Sequence, residues 1–285
     1  MFKLAILSAM VSFSSLHAQV VSDSLLVKGL YRSFHYNDPG AAKKSSLVFV
    51  LHGSGGNGKG MMASTVKLEE KAKADGLLLV YPDGYEKYWN ECRKGATTTA
   101  NSKDIDEYAF FDGMINYFRK KFNIDKHKVY AAGVSGGGHM TYKLALTMPD
   151  KFKAVTAIIA NLPDTNNLDC VEARVAIPVM IINGTADPVN PYEGGPMSVG
   201  GANWGEVRST DRTFHYWSQL AGYKGEAVKD QLPDIDPSGG KTIERYTYKE
   251  TGKPEIVLLK VIGGKHDFPK DIDVFEEAWK FFKRQ

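Results

Sequence analysis

The chain has 285 residues, 43% of them hydrophobic and 24% charged, and 36 basic against 33 acidic side chains leave a formal net charge of +3. Such a length suits one large domain or two small ones, and the composition excludes a disordered, collagen-like or coiled-coil chain. The near balance of charge argues against a broad nucleic-acid-binding face, and two Cys residues are too few for a disulfide scaffold or a thiolate zinc site.

The first residues read Met1-Phe2-Lys3, then run apolar from Leu4 to about Leu16 before His17-Ala18. A positive start, a short apolar stretch and a small residue at the end describe a secretory signal peptide. The stretch is too short and too rich in Ser for a good transmembrane helix. A buried N-terminal helix is the competing reading. Cleavage after Ala18 would leave residues 19–285 as one exported catalytic domain, secreted or periplasmic, with no membrane segment.

Beyond the leader, buried strands alternate with helices. Residues 46–51 form an apolar run of strand length followed by His52-Gly53-Ser54-Gly55-Gly56. A helix is expected over 61–74 and a strand over 77–81, stopped by Pro82-Asp83-Gly84. Tyr108, Phe111, Met114, Ile115, Phe118 and Phe122 share one helical face. A strand over 128–134 leads into a helix over 136–148; further strands are expected at 154–160, 178–182 and 255–262. The Gly-rich stretch 192–208 reads as a long loop, 211–221 as a helix, and Ile272, Phe275, Ala278, Trp279 and Phe282 stripe a last helix. Strands lacking polar alternation are buried on both faces, so the pattern predicts an α/β fold: a mostly parallel central sheet with helices on both sides. Ligands of such sheets sit beyond the carboxyl ends of the strands.

Gly133-Val134-Ser135-Gly136-Gly137 matches G-x-S-x-G between a predicted strand and a predicted helix, the context a nucleophile elbow requires. A Ser held on that sharp turn tolerates no bulk two residues to either side, and the new helix aims backbone N–H groups at developing negative charge. The alternative is a Gly-rich packing turn with an idle Ser. A Ser needs a base, and in elbow enzymes the acid and then the His follow it in the chain. Asp187 lies in the loop after strand 178–182; Asp164 and Asp169 compete for the acid role but precede that strand. Of seven His, His266 stands in the loop after strand 255–262, where chain order requires the base. The backbone N–H groups of Gly136 and Ser54, with Gly55 as alternative to the latter, are candidates for an oxyanion hole. Gly58-Lys59-Gly60 breaks the P-loop pattern and no H-E-x-x-H is present, so neither a nucleotide cofactor nor a metal is expected. In an oxidising compartment Cys92 and Cys170 could pair or remain two thiols.

Taken together, residues from about 25 to 283 resemble the poly(3-hydroxybutyrate) depolymerase-like esterases, secreted α/β-hydrolases that include feruloyl and acetylxylan esterases of carbohydrate esterase family one. Asn183-Gly184-Thr185-Ala186-Asp187-Pro188-Val189-Asn190-Pro191-Tyr192-Glu193-Gly194-Gly195 is similar to that family's HGTADxxVPYxGG acid loop. Leu51 to Gly58 resembles its oxyanion loop, Tyr130 to Gly138 its elbow, and Tyr88-Trp89-Asn90 with Ile105 to Phe110 its W-N and D-D-V-x-F segments. The resemblance implies an α/β-hydrolase fold without a separate lid domain, Ser135, Asp187 and His266 as nucleophile, acid and base, no cofactor, and a disulfide between Cys92 and Cys170. The family's GGGHxWPG loop here reads Gly263-Gly264-Lys265-His266-Asp267-Phe268-Pro269-Lys270, which alters the shape of the cleft.

The expected activity is carboxylic-ester hydrolysis through an acyl-enzyme, with a feruloyl or acetyl ester on plant polysaccharide as substrate and a hydroxyalkanoate oligomer or polyester as the alternative. Trp89, Tyr192, Trp204 and Phe268 are candidate substrate contacts, since aromatic rings suit a phenolic acyl group or sugar stacking. A catalytically dead carbohydrate-binding protein and a serine peptidase of the same fold are the competing classes.

Overall fold

A computed structural model describes residues 19–39 and 46–285; the expected signal peptide lies outside them. In chain order the elements are β1 (Val20–Val27), β2 (Leu30–Asn37), β3 (Ser46–Leu51), α1 (Gly58–Ser64), α2 (Val66–Asp75), β4 (Leu77–Pro82), α3 (Thr99–Ser102), α4 (Glu107–Phe122), β5 (Val129–Val134), α5 (Gly136–Thr147) and β6 (Ala154–Ile158). They continue with β7 (Val179–Gly184), β8 (Gly195–Val199), β9 (Ala202–Val207), α6 (Thr210–Leu220), β10 (Val228–Gln231), β11 (Thr242–Tyr248), β12 (Ile256–Ile262) and α7 (Val274–Lys283).

Ten strands form one sheet in the order β1-β2-β4-β3-β5-β6-β7-β12-β11-β10. The inner pairs from β4 to β12 are all parallel, and β2 and β11 pair antiparallel on their flanks. Strands β3, β4, β6 and β7 are buried at every residue, which is why they read as unbroken apolar runs. Helices α4, α5 and α6 cover one face through residues such as Phe111, Leu144 and Trp217, and α1, α2 and α7 cover the other through Met61, Leu68 and Phe282. This is the α/β-hydrolase fold.

The helices obey local rules. Asp106 caps α4 by accepting from the Ala109 N–H, and Arg119, Lys120 and Lys121 fill its last turn, where cations offset the helix dipole. Asp273 caps α7 by accepting from Phe275 and Glu276.

Three expectations differ from the structure. The helix expected over 61–74 is two helices meeting at Thr65, whose hydroxyl bonds to Met61 O and to the Tyr81 hydroxyl. The stretch 192–208 holds the hairpin β8–β9, with Met197 and Trp204 turned inward. The antiparallel edges β1, β2, β10 and β11 are not marked by apolar runs in the sequence: they are partly exposed and mixed in composition. Lys28-Gly29, at φ 46° and 84°, makes the two-residue turn that joins β1 to β2.

Candidate active site

Strand β5 passes into α5 through the single residue Ser135, whose backbone sits at φ 53°, ψ −115°. Side chains seldom adopt that region, so the surroundings must impose it. They do so by close packing: a Cβ on Gly133 would lie 2.1 Å from Gly137 O, and one on Gly137 would lie 2.5 Å from Leu51 O. The Ser135 N–H donates to Ile158 O on the neighbouring strand at 2.9 Å, and the His139 N–H donates to Ser135 O at 2.9 Å, starting the helix.

Asp187 and His266 arrive on adjacent loops. The loop after β7 and the loop after β12 are locked together by Thr185 N–H to Val261 O, Ala186 N–H to Gly264 O and Gly263 N–H to Thr185 Oγ1. Gly184 permits this approach, since its Cβ would lie 2.3 Å from Gly264 O. The result is a continuous line: Asp187 Oδ2 accepts from His266 Nδ1 at 2.7 Å, and His266 Nε2 lies 3.0 Å from Ser135 Oγ. The other carboxylate oxygen, Asp187 Oδ1, accepts from the N–H groups of Val189 and Asn190, both at 2.8 Å. The Asp187 side chain is 1% exposed and that of His266 21%, so the acid is sheltered while the imidazole reaches the surface. Asp164 is instead engaged by both guanidinium nitrogens of Arg212, and Asp169 is not part of the line.

The backbone of Ser54 lies against the elbow. A Cβ on Gly136 would meet Ser54 N at 2.9 Å and Ser54 Oγ at 2.4 Å. Gly136 opens α5, where the first N–H groups have no partner inside the helix. The Gly55 N–H, the alternative donor, is taken by Lys87 O at 3.0 Å, which favours Ser54. The set can therefore supply a nucleophile, a base, an orienting carboxylate and two backbone donors on one patch. A groove of about 660 Å³ between Arg208, Arg212, His215 and Tyr216 includes none of these residues.

Cys92 and Cys170 are joined, Cα to Cα 5.1 Å, tying the loop after β4 to the loop after β6. The aromatic candidates need correction. Trp89 is 3% exposed, donates from Nε1 to His52 O and packs on the His52 ring. Tyr192 is equally buried, with its hydroxyl on Asp211 and Lys260 over its ring; Trp204 lies beneath Arg93. These three rings are filled by packing partners. Phe268 alone of the four is open, at 43% exposure, two residues past His266.

Several supports were not visible in the sequence. Glu91 and Arg93 flank Cys92 as a fully buried ion pair. Asn183 bonds Ala160 O, Asn161 Oδ1 and Thr210 Oγ1, and Asn190 Oδ1 receives the Asn161 N–H, knitting the loops after β6 and β7. His139, one turn beyond Ser135, finds no hydrogen-bond partner for either ring nitrogen among the described residues. Burial, and then the nearby charge of Arg93, hold its pKa well below the usual imidazole value. Lone polar residues in apolar stretches were the only signal for these. Among the described residues no cluster of His, Cys, Asp or Glu is placed to hold a metal, and no helix is long and apolar enough to cross a membrane.

Comparison with known proteins agrees with the fold. Residues 84–166 match the model of the prolyl oligopeptidase family. The chain is 27% identical over 267 residues to NocK of Nocardia uniformis subsp. tsuyamanensis, which carries an esterase name; the match covers 88% of this chain and 75% of that one. Feruloyl esterase C of Emericella nidulans is 28% identical over 162 residues, 54% of this chain, and the match spans about half (53%) of that relative's length. The solved acetyl xylan esterase from Aspergillus awamori superposes with a TM-score of 0.61 at 15% identity, covering 93% of this chain and 100% of that one. The sheet order and the Ser135–His266–Asp187 line thus belong to an α/β-hydrolase. Within that fold the chain is a carboxylic-ester hydrolase, similar in sequence to proteins named as esterases, feruloyl esterase C among them. These comparisons give the poly(3-hydroxybutyrate) part of the expected resemblance no support.

Proposed function

We propose that the chain is an exported serine esterase that cleaves feruloyl or acetyl esters borne by plant polysaccharide. The observation that carries the mechanism is the hydrogen-bonded line from Asp187 through His266 to Ser135. His266 Nε2 takes the Ser135 proton as Oγ attacks the ester carbonyl; Asp187 keeps the other proton on Nδ1 and stabilises the imidazolium. The N–H groups of Gly136 and Ser54 receive the oxyanion. His266 then protonates the departing alcohol, and water, activated by the same imidazole, releases the acid and regenerates Ser135. The substrate class rests on relatives named feruloyl and acetylxylan esterases, and export rests on the residue pattern of 1–18.

The test is an ester panel on the purified chain and on Ser135→Ala. Turnover of methyl ferulate or acetylated xylan is expected, falling by roughly 10⁶ in the variant, the loss seen on removing other triad nucleophiles. Near-wild-type turnover in Ser135→Ala would overturn the mechanism. The family-model match over 84–166 favours one second reading, a serine peptidase. Cleavage of a prolyl anilide with no ester turnover would replace the first reading by that one.

A further inference from the structure

We propose that His52 is a positioning residue: its neutral Nδ1–H form holds the oxyanion loop, residues 52–58, against the turn after β4. The inference rests on the esterase reading above and concerns how Ser54 is held. His52 is 2% exposed, and its hydrogen bonds go to Gly53, Gly84 and Trp89 rather than to the Asp187–His266–Ser135 line.

Its hydrogen bonds assign its tautomer. The Gly84 N–H can only donate, and it lies 2.9 Å from His52 Nε2, so that nitrogen carries no proton. Gly53 O can only accept, and it lies 2.7 Å from Nδ1, so the proton is there. Burial holds the pKa of this imidazole below its usual value, in keeping with the neutral form. The residue's own carbonyl accepts from Trp89 Nε1 at 2.9 Å, and the two rings pack with centroids 4.8 Å apart.

Two more bonds run between the same segments. The Gly55 N–H donates to Lys87 O at 3.0 Å, and the Gly58 N–H donates to Asp83 Oδ1 at 2.7 Å. The oxyanion loop is therefore tied at residues 52, 55 and 58 to a splint made by residues 83–89. Ser54 lies between the first two ties, and its N–H makes no hydrogen bond to another described residue. The splint is itself a tight turn: Tyr85 bridges to Tyr88, with Glu86 and Lys87 at φ 49° and 73°. Position 84 must be Gly, since a Cβ would lie 2.5 Å from Tyr88 O.

A ring serving only to fill space could be apolar. At this position an apolar ring would strand the buried Gly84 N–H and leave Gly53 O with only its bond from the Gly56 N–H, and the loop would have to shift to solvate the orphaned donor. An oxyanion donor acts only when it sits about 3 Å from where the charge develops, and a displacement of about 1 Å costs on the order of 10²-fold in rate. His52 thus serves the transition state more than the bound substrate.

The experiment compares wild type with His52→Phe, which keeps a ring and loses both bonds, and His52→Gln, whose terminal oxygen can accept from Gly84. Fluorophosphonate titration counts the competent sites in each. The expected result for His52→Phe is a kcat reduced roughly 10- to 100-fold per labelled site, with KM changed less than two-fold. The affinity for an arylboronic acid, whose oxygen occupies the oxyanion position, falls by the same factor, and His52→Gln recovers part of both. Unchanged kcat and boronate affinity in His52→Phe, or a loss confined to KM, overturns the proposal. Should His52→Phe not fold, His52→Asn decides: it retains a donor toward Gly53 O and drops the Gly84 acceptor, so a wild-type kcat there overturns the proposal as well. Failure of fluorophosphonate to label the wild-type chain would instead strike the esterase reading itself.

Discussion

Replacing Asp187 with Asn tests the hydrogen-bond line at its least exposed point. The carboxylate makes three bonds: Oδ1 accepts from Val189 and Asn190 N–H at 2.8 Å each, and Oδ2 accepts from His266 Nδ1 at 2.7 Å. Those two N–H donors oblige the Asn oxygen to take the Oδ1 position. The amide NH₂ then faces His266 Nδ1 and donates to it, so the imidazole proton moves to Nε2. That nitrogen lies 3.0 Å from Ser135 Oγ, and an N–H there can no longer accept the Ser proton. Similar wrong-tautomer variants of triad acids lose about 10⁴ in kcat, about 5.4 kcal/mol of activation free energy at 1.36 kcal/mol per decade. KM should hardly move, and Tm should stay within a few degrees, because the two bonds that shape the loop persist. Steady-state hydrolysis of p-nitrophenyl acetate and methyl ferulate reads kcat, and a thermal melt reads the fold. A loss below ten-fold would refute the assignment of the tautomer to Asp187. An equal loss in Asp164→Asn would refute the choice of acid, since Asp164 is held by Arg212 away from the imidazole.

Two further outcomes are expected. The Cys92–Cys170 bond closes a loop across 78 positions, so Cys92→Ala with Cys170→Ala should cost about 4.5 kcal/mol by loop entropy and lower Tm on the order of 10 °C; a calorimetric Tm equal to wild type would contradict this. Acid should destabilise the fold through its buried imidazoles. His52 and His139 have pKa values pushed below the usual range, first by burial, so below about pH 6.5 the unfolded chain binds protons that the folded chain refuses. Unfolding free energy therefore falls as pH drops through that window, by up to about 1.4 kcal/mol per pH unit for each site. The urea midpoint should drop from pH 7 to pH 5, and drop less in His139→Phe; an equal drop in both would remove His139 from the account.

The site was legible where chemistry and local geometry coincide. G-x-S-x-G between a buried strand and a helix names Ser135, because a backbone at φ 53° packed this tightly needs a Cβ-free residue two positions to each side, Gly133 and Gly137. Chain order then points to His266, and the acid loop to Asp187, though Asp164 and Asp169 stayed open until distances were known. Three of the four aromatic candidates are buried for a physical reason. A Trp in a polar, Gly-rich stretch looks exposed, yet Trp89 and Trp204 supply the buried area that holds those loops down. The β8–β9 hairpin was hidden by the same Gly residues, which serve its turns, at φ 58° and 82° for Gly200 and Gly201.

The amino-acid sequence by itself determined the parallel core, the elbow and the order of Ser, acid and base. These depend on short-range patterns: apolar runs buried on both faces, and residues too small to collide at a sharp turn. The charge balance noted at the outset set no more than a class. Tertiary structure alone decided which Asp meets His266, which aromatic rings remain open, and how the oxyanion loop is braced. Those outcomes depend on pairings between loops 30 to 130 residues apart, such as His52 with Gly84 and His266 with Ser135. Nothing in local composition encodes which buried N–H will find which acceptor, because that choice is made only once the sheet has set the strand ends side by side.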